Sequence, residues 1–575
     1  MLEKIAKWIE EAIKKLNYPA DQFAGRWGVE HPDELARGDY ATNVALVLAK
    51  VVNQEPLVLA KKIADQLKAS PLEFSKARPW LDRVEVVPPG FINFFLTRDF
   101  FTGELKQVLE QGDKYGRVKK IGAGEKVMVE YTDPNPFKEF HIGHLMSNAV
   151  GESVSRLIES QGAEVKRACY QGDVGMHVAK AVWGLINKKE NPYAVGSQAY
   201  ETDERAKREI NDLNKKIYER SDETVNKIYD AGRQASLDAF EIIYKRLGTK
   251  FDYYFFESES GPVGQKLVEE HLDARLPKGS QASTVSVFEK SDGAVVFKGE
   301  KYSADLHTRV FLNSEGLPTY EAKELGLAKL KYEKYPYDQS VVITGNEVVG
   351  YFAVLMKALK LISPDLAKKT KHISHGMLRL PSGKMSSRTG DVVTAETLLG
   401  EVREKIKQKM VERALPPAEM ETVAEGVTIA AVKYSILKQS PGRDIIFDVA
   451  KSLSLEGDSG PYLQYAYVRA LAVLEKARAE NISPNLDHSI EISELEKLLV
   501  RFPEIVTRAT VLYAPNLLIT YLTELASAFN SYYATQKIVD ALDHHSPYRL
   551  ALTATFTQIM KSGLTLLAIP VLEKM

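Results

Sequence analysis

The chain has 575 residues, too long for one core, so about three or four domains are expected. Its 44% hydrophobic and 27% charged residues suit an ordinary globular protein, and a net charge of −1 offers no bulk attraction for nucleic acid. Any RNA site must therefore come from local patches. The single cysteine, Cys169, excludes an internal disulfide and a cysteine-based zinc cage, and fits a reducing, cytoplasmic setting.

The N-terminal residues read as an amphipathic helix with Ile5, Ile9, Ile13 and Leu16 on one face, not as a signal peptide. No stretch approaches the roughly 18 apolar residues of a membrane span, so no membrane partner is expected. Apolar runs at 84–87 and 91–96, joined by Pro88-Pro89-Gly90, predict a hairpin inside a compact α+β module. A strand at 127–131 follows the Gly122-Ala123-Gly124 loop. After a turn, a helix with Leu145, Ala149, Val150, Val154, Leu157 and Ile158 on its buried side runs to about Gln161, where Gly162 is placed to stop it. Residues 187–250 are charged and mostly helical, and a β-rich piece follows at 285–297. Strand–helix alternation resumes near Thr308 and ends at 341–345. Two βα regions separated by an inserted module predict a split nucleotide-binding α/β fold. From about residue 425 the pattern is helical, with Leu517, Tyr521, Leu525 and Phe529 on one face, and predicts a bundle.

The most informative segment is Asn135-Pro136-Phe137-Lys138-Glu139-Phe140-His141-Ile142-Gly143-His144, between the predicted strand and its helix. A helix start aims backbone N–H groups and a positive dipole end at a bound anion. His141 and His144, three apart, can reach the same anion; Gly143 permits close approach and Lys138 adds a cation. The plainer alternative is a helix entry with two structural histidines. A second segment, His375-Gly376-Met377 through Lys384-Met385-Ser386-Ser387-Arg388, reads equally as a basic surface loop when taken alone.

Together the two segments resemble the paired signatures of class I aminoacyl-tRNA synthetases. Along nearly the whole chain the resemblance is to the arginyl-tRNA synthetase family. It is carried by residues 129–135 with Lys138 and His141, by Tyr170-Gln171-Gly172-Asp173-Val174-Gly175, by Glu456-Gly457-Asp458-Ser459-Gly460-Pro461-Tyr462, and by Gly38-Asp39-Tyr40-Ala41-Thr42-Asn43 with Gly90-Phe91-Ile92-Asn93. The chain departs from the family pattern at Val174, where tryptophan is usual, at Ser387 for lysine, at Glu324 for aspartate and at Glu347 for glutamine.

The resemblance implies a Rossmann-like catalytic domain, an N-terminal α+β domain and a C-terminal all-α bundle. Expected boundaries are 1–112 for a tRNA-contacting domain, 113–186 and 306–376 for the two catalytic halves, 187–305 for a connective insert, 377–440 for the signature loop and stem-contact region, and 441–575 for an anticodon-binding domain. It implies ATP as substrate with Mg²⁺, no zinc and no resident metal, and L-arginine and tRNA(Arg) as partners, with activation waiting for tRNA. A monomer is expected. His141, His144, Lys138 and Lys384 would be catalytic; Gly143, His375, Met377, Met385, Ser386 and Ser387 would join them around ATP. Lys138 would replace the cation missing at Ser387.

A guanidinium is planar with five donors and needs carboxylates and amide oxygens around it. Glu130, Asn135, Tyr320, Glu324 and Glu347 are the expected arginine contacts, although Tyr320 and Glu324 also suit an exposed helix start. Asn43, Phe91, Asn93, Arg403 and Tyr465 are the expected tRNA contacts. For Arg403, in a basic run with Lys405, Lys407 and Lys409, a solvated helix face is an equal alternative. For Tyr465, core packing is. The spacing of the two signatures leaves no room for a large editing insertion, and one cysteine argues against the cysteinyl type. A class I lysyl-tRNA synthetase and a catalytically silent tRNA-binding paralogue stay as alternatives.

Overall fold

The computed structural model describes residues 1–19, 25–69, 79–117, 122–272, 286–379, 381, 393–410 and 416–575. They form two compact units: one of residues 1–115, 466–503 and 524–561, the other of 116–465, 504–523 and 562–575. The C-terminal residues expected as a separate domain are thus divided between the two.

The first unit opens with α1 (Leu2–Lys15), then β1 (Val29–Glu30), β2 (Tyr40–Thr42), α2 (Val44–Val52), α3 (Pro56–Lys68), β3 (Leu81–Val87), β4 (Phe91–Leu96) and α4 (Arg98–Gln111). The expected hairpin is β3–β4, and the antiparallel sheet has the order β1-β2-β4-β3. Ile5, Trp8, Ile9, Leu48, Leu59, Ile63, Ile92 and Phe94 fill the core between helices and sheet. The same unit includes an ion pair between Arg98 and Glu496, with Tyr548 donating to Glu496 Oε1 at 2.6 Å.

The second unit is built on β5 (Lys126–Glu130), α5 (Ile142–Ser160), β6 (Glu164–Gln171), α6 (Met176–Ile186), α7 (Pro192–Thr202), α8 (Glu204–Glu219), α9 (Glu223–Leu247), β7 (Tyr253–Phe256) and α10 (Glu257–Glu270). There follow β8 (Glu289–Ser291), β9 (Ala294–Lys298), β10 (Thr308–Leu312), α11 (Tyr320–Lys334), β11 (Gln339–Gly345), α12 (Val349–Ile362), α13 (Pro364–Lys369), β12 (Thr370–His375) and β13 (Leu378–Arg379). α14 (Ala395–Met410), α15 (Pro417–Leu437), β14 (Ile445–Ile446) and α16 (Val449–Ser452) precede the remaining helices, α17 (Gly460–Ala479) to α21 (Ser546–Leu566).

A wholly parallel sheet of order β12-β11-β5-β6-β7 is the scaffold. Both faces of such a sheet are covered, which is why Val127, Met128 and Val129 run as consecutive buried residues. Strand order reverses between β5 and β11. β10 pairs with β9 in a separate antiparallel sheet, so the boundary expected at 305/306 falls inside the inserted module. Two helices touch backbone to backbone: a Cβ on Gly264 of α10 would lie 1.7 Å from the Ala322 carbonyl oxygen, and one on Gly326 of α11 would lie 2.0 Å from that of Ser260.

Candidate active site

The carboxyl ends of β5 and β11 flank the reversal of strand order, where ligands bind in open α/β sheets. Between Glu130 and α5 the chain makes a turn with positive φ at Thr132 (83°), Asp133 (48°) and Phe137 (68°). A β-branched residue there is strained and needs its surroundings to hold it. The Thr132 N–H donates to Ser147 Oγ at 2.9 Å and Asn148 Nδ2 donates to Thr132 Oγ1 at 3.1 Å. Asp133 Oδ1 accepts the Tyr170 N–H at 2.7 Å, and the Phe137 N–H donates to Ser236 Oγ at 2.9 Å.

α5 then starts on its own histidines. His141 Nδ1 accepts the Gly143 N–H at 3.1 Å, His144 Nδ1 accepts the His141 N–H at 3.3 Å, and the rings stack with centroids 3.6 Å apart. The plainer alternative is therefore also true, since both residues cap their helix. Capping has a chemical consequence. An imidazole whose Nδ1 accepts carries its proton on Nε2 when neutral. Burial, then the Lys138 charge, pushes His141 down to about 4, while burial, His141 and Lys138 hold His144 well below the ordinary range. Both are neutral near pH 7 and both keep an Nε2–H donor. Lys138 is half-buried, its Nζ 5.0 Å from the Tyr193 ring centroid. Burial lowers it and the Glu257 charge partly restores it.

Lys384, Met385, Ser386 and Ser387 lie outside the described residues. The chain after them returns to the first signature: the Ala395 N–H donates to the Phe140 carbonyl at 2.8 Å, and the Ile142 N–H to that of Val393 at 3.4 Å. His375 is buried at the end of β12 with Nδ1 donating to the Gly376 carbonyl at 2.7 Å, and Met377 is exposed. Glu347, expected among the arginine contacts, lies in the turn that directly follows β11. The turn Asn346–Val348 folds its carboxylate back over Gly345, and its charge acts on His375.

On the other side of the 132–137 turn, Lys331 Nζ donates to Glu130 Oε2 at 2.6 Å, with side chains only 4% and 2% exposed. Glu324 lies two helical turns earlier on α11. Burial and then the Glu130 charge push both Glu324 and Asp133 well above the carboxylate range. For Lys331 burial works downward, but Glu130, with Tyr337 and Glu324, more than restores it and the ammonium stays charged. Three carboxyl groups thus share one resident cation, a pocket that favours the arrival of a second.

A second buried pair adjoins it. Lys323 Nζ donates to Glu257 Oε2 at 2.6 Å, both side chains 5% exposed. A Cβ on Gly172 would lie 2.2 Å from Asn135 Oδ1 and 3.2 Å from Glu257 Oε1, so Asn135 and Glu257 meet over that glycine. Asp173, fully buried, anchors the loop. It accepts from the Ser258 N–H at 2.9 Å, Ser258 Oγ at 2.7 Å, Arg233 Nε at 2.9 Å and the Tyr229 hydroxyl at 3.2 Å. Tyr320 opens α11 and is 61% exposed. Lys331, Glu257 and Lys323 were not expected from the sequence. Only Lys331 left a signal, since seven residues after Glu324 is the same helix face.

The expected tRNA contacts are placed differently from one another. Asn43 is half-buried with Oδ1 accepting the Gly28 N–H at 3.1 Å, and Asn93 is buried on the central strand β4 beneath Gly38. Phe91 is half-buried at the start of β4. Arg403 lies 3.9 Å from Glu425 and Lys407 pairs with Glu421, both acids on α15, so half of the basic run is already matched. Lys405 and Lys409 are exposed, and Tyr465 is half-buried on α17.

Three family models match the chain: "Arginyl tRNA synthetase N terminal domain" over residues 3–96, "tRNA synthetases class I (R), catalytic domain" over 104–449, and "DALR anticodon binding domain" over 463–575. An arginine–tRNA ligase of Clostridium perfringens is 31% identical over 95% of this chain and 96% of its own length. That of Treponema pallidum is 30% identical over 95% and 94%. The fold is similar to the arginyl-tRNA synthetases of Thermus thermophilus (TM-score 0.73, 24% identity, 100% of each chain) and Plasmodium falciparum (0.79, 19%, 100% and 99%). By its sequence and the family model spanning its catalytic core, the chain belongs to the arginine–tRNA ligases of the class I tRNA synthetase family.

Proposed function

We propose that the crevice at the ends of β5 and β11 joins arginine to tRNA in two steps. The arginine carboxylate attacks the α-phosphorus of ATP, the bond to the bridging oxygen breaks, and pyrophosphate leaves with its electron pair. The 2′-hydroxyl of the terminal adenosine of tRNA(Arg) then attacks the carbonyl carbon of arginyl-adenylate, the bond from that carbon to the phosphate oxygen breaks, and AMP leaves as its phosphate takes up the hydroxyl proton. No protein group forms a covalent intermediate. The enzyme's work is to orient the reactants and stabilise charge on the phosphates.

In this reading His141 and His144 act as neutral donors. Their Nε2–H groups, fixed by the capping bonds, point charge-free hydrogen bonds at the α-phosphate where negative charge builds. Lys138 supplies the fixed cation for the departing pyrophosphate, and Lys384 joins it from the neighbouring loop. The guanidinium enters among Glu130, Asp133 and Glu324 as the cation their pocket lacks, with Tyr320 at its mouth, and Asn135 receives the α-amino group. Magnesium arrives on ATP and is held by its phosphates. We further read the protein as a cytoplasmic monomer.

The observation that carries this reading is the under-neutralised carboxyl cluster beside a helix start with two neutral donors. ATP–pyrophosphate exchange with each amino acid, with and without cognate tRNA, tests it. Exchange with arginine alone among the amino acids supports it. Exchange with lysine would install the lysyl alternative, and none with any amino acid and tRNA the silent one.

A further inference from the structure

Among the described residues the Tyr351 hydroxyl is one of the buried polar atoms with no hydrogen-bond partner. Tyr351 is the third residue of α12, which packs on α11, the helix of Tyr320, Glu324 and Lys331. Its neighbour Phe352 anchors the helix in the core, the two rings edge to face with centroids 5.5 Å apart. A protein rarely leaves a buried hydroxyl unmatched, because its hydration is lost and nothing replaces it. The exceptions call for a missing ligand or water.

The surroundings say which ligand. After burial, the strongest influence on the phenol is the Glu324 charge, followed by Glu321, Glu257 and Glu130. All of them push it well above the ordinary range, so it stays protonated, with one donor and free lone pairs. A guanidinium brings five N–H donors in one plane. Glu130 Oε2 is already occupied by Lys331, which leaves the donors short of acceptors.

We propose that Tyr351 is a further specificity-determining residue, its hydroxyl accepting a guanidinium N–H while donating its own proton to the Glu324 carboxylate. The proposal rests on the arginine reading above. It makes Tyr351 idle in the free enzyme and engaged only in the complex, so removing its oxygen has opposite effects in the two states.

The test is Tyr351→Phe in the full chain. Without ligand its melting temperature should equal or exceed that of the wild type. In exchange assays with cognate tRNA, KM for arginine should rise about tenfold, while kcat and KM for ATP stay within about twofold. Lysine and homoarginine should then inhibit closer to arginine than they do in the wild type. An unchanged KM for arginine would overturn the proposal, and so would a lower melting temperature with both KM values rising together, the mark of a packing role. Failure of the wild type to use arginine at all would instead overturn the functional reading, and this proposal with it.

Discussion

The two ends of the proposed site would face opposite charges, and both are discharged by burial, yet they are set up differently. At the phosphate end the groups pushed to neutrality are His141 and His144, and they need no charge to act because a neutral imidazole already donates through Nε2. At the arginine end they are Glu324 and Asp133, which must ionise before they can attract a guanidinium. One end is ready before its ligand arrives. The other is completed by it.

The comparison is broken most severely at the buried ion pair. Lys331→Met leaves Glu130 alone in the interior and should cost about 3–5 kcal/mol of stability, read by denaturant unfolding. Lys331→Met with Glu130→Gln should recover much of that loss. If the single variant were as stable as the wild type, Lys331 would not be what holds the carboxyl cluster together.

At the phosphate end Lys138→Ala should lose about 100- to 1000-fold in exchange rate, the scale of a charge-stabilising group removed from a reacting centre. Arginine affinity, measured by calorimetry, should barely change. Near-normal adenylate formation would return the role to the loop lysine, Lys384.

Glu324→Gln sharpens the contrast from the other side. KM for arginine should rise about 10- to 100-fold with KM for ATP little altered, since a charged acceptor is lost at one end only. Equal effects on both substrates would make Glu324 structural.

The smallest effect is in pH. Glu324 and Asp133, pushed well above the ordinary carboxylate range by burial and then by Glu130, hold their protons to higher pH than free carboxyls, while the guanidinium stays charged throughout. KM for arginine should therefore fall as pH rises from about 5.5 to 8, by at most about tenfold per unit for each proton released. KM for ATP should change less, because the phosphate-end histidines are already neutral there. A flat arginine profile would mean that the carboxylates are ionised before substrate binds.

Much of this was legible in the sequence, for identifiable reasons. The β5–turn–α5 unit announced itself through an apolar run, a proline turn and a histidine–glycine helix start, all local signals. So did the hairpin β3–β4. What stayed hidden was long-range pairing. Lys331 and Lys323 read as ordinary lysines of a charged helix, and only the fold shows their partners, Glu130 and Glu257, both far in sequence and both buried. β10 read as a return to the parallel sheet because strand partners leave no mark on a strand's own residues. Asn93 was expected to face tRNA only from the family resemblance, whereas the central position of β4, in an apolar run, buries it.

The backbone contact between α10 and α11 sets a limit on how this pocket can adapt. With Gly264 against Ala322 and Gly326 against Ser260, the helices meet backbone to backbone at two points, where there is no side chain to be trimmed or compressed. The distance from the Glu257 wall to the Lys323–Glu324 wall is a fixed gauge rather than an adjustable one. A longer acid at position 324 cannot be absorbed by the helices parting; it shortens the chamber itself. Redesigning the enzyme for a larger or smaller cationic amino acid would therefore mean exchanging individual side chains on rigid walls, since the walls have no slack to give.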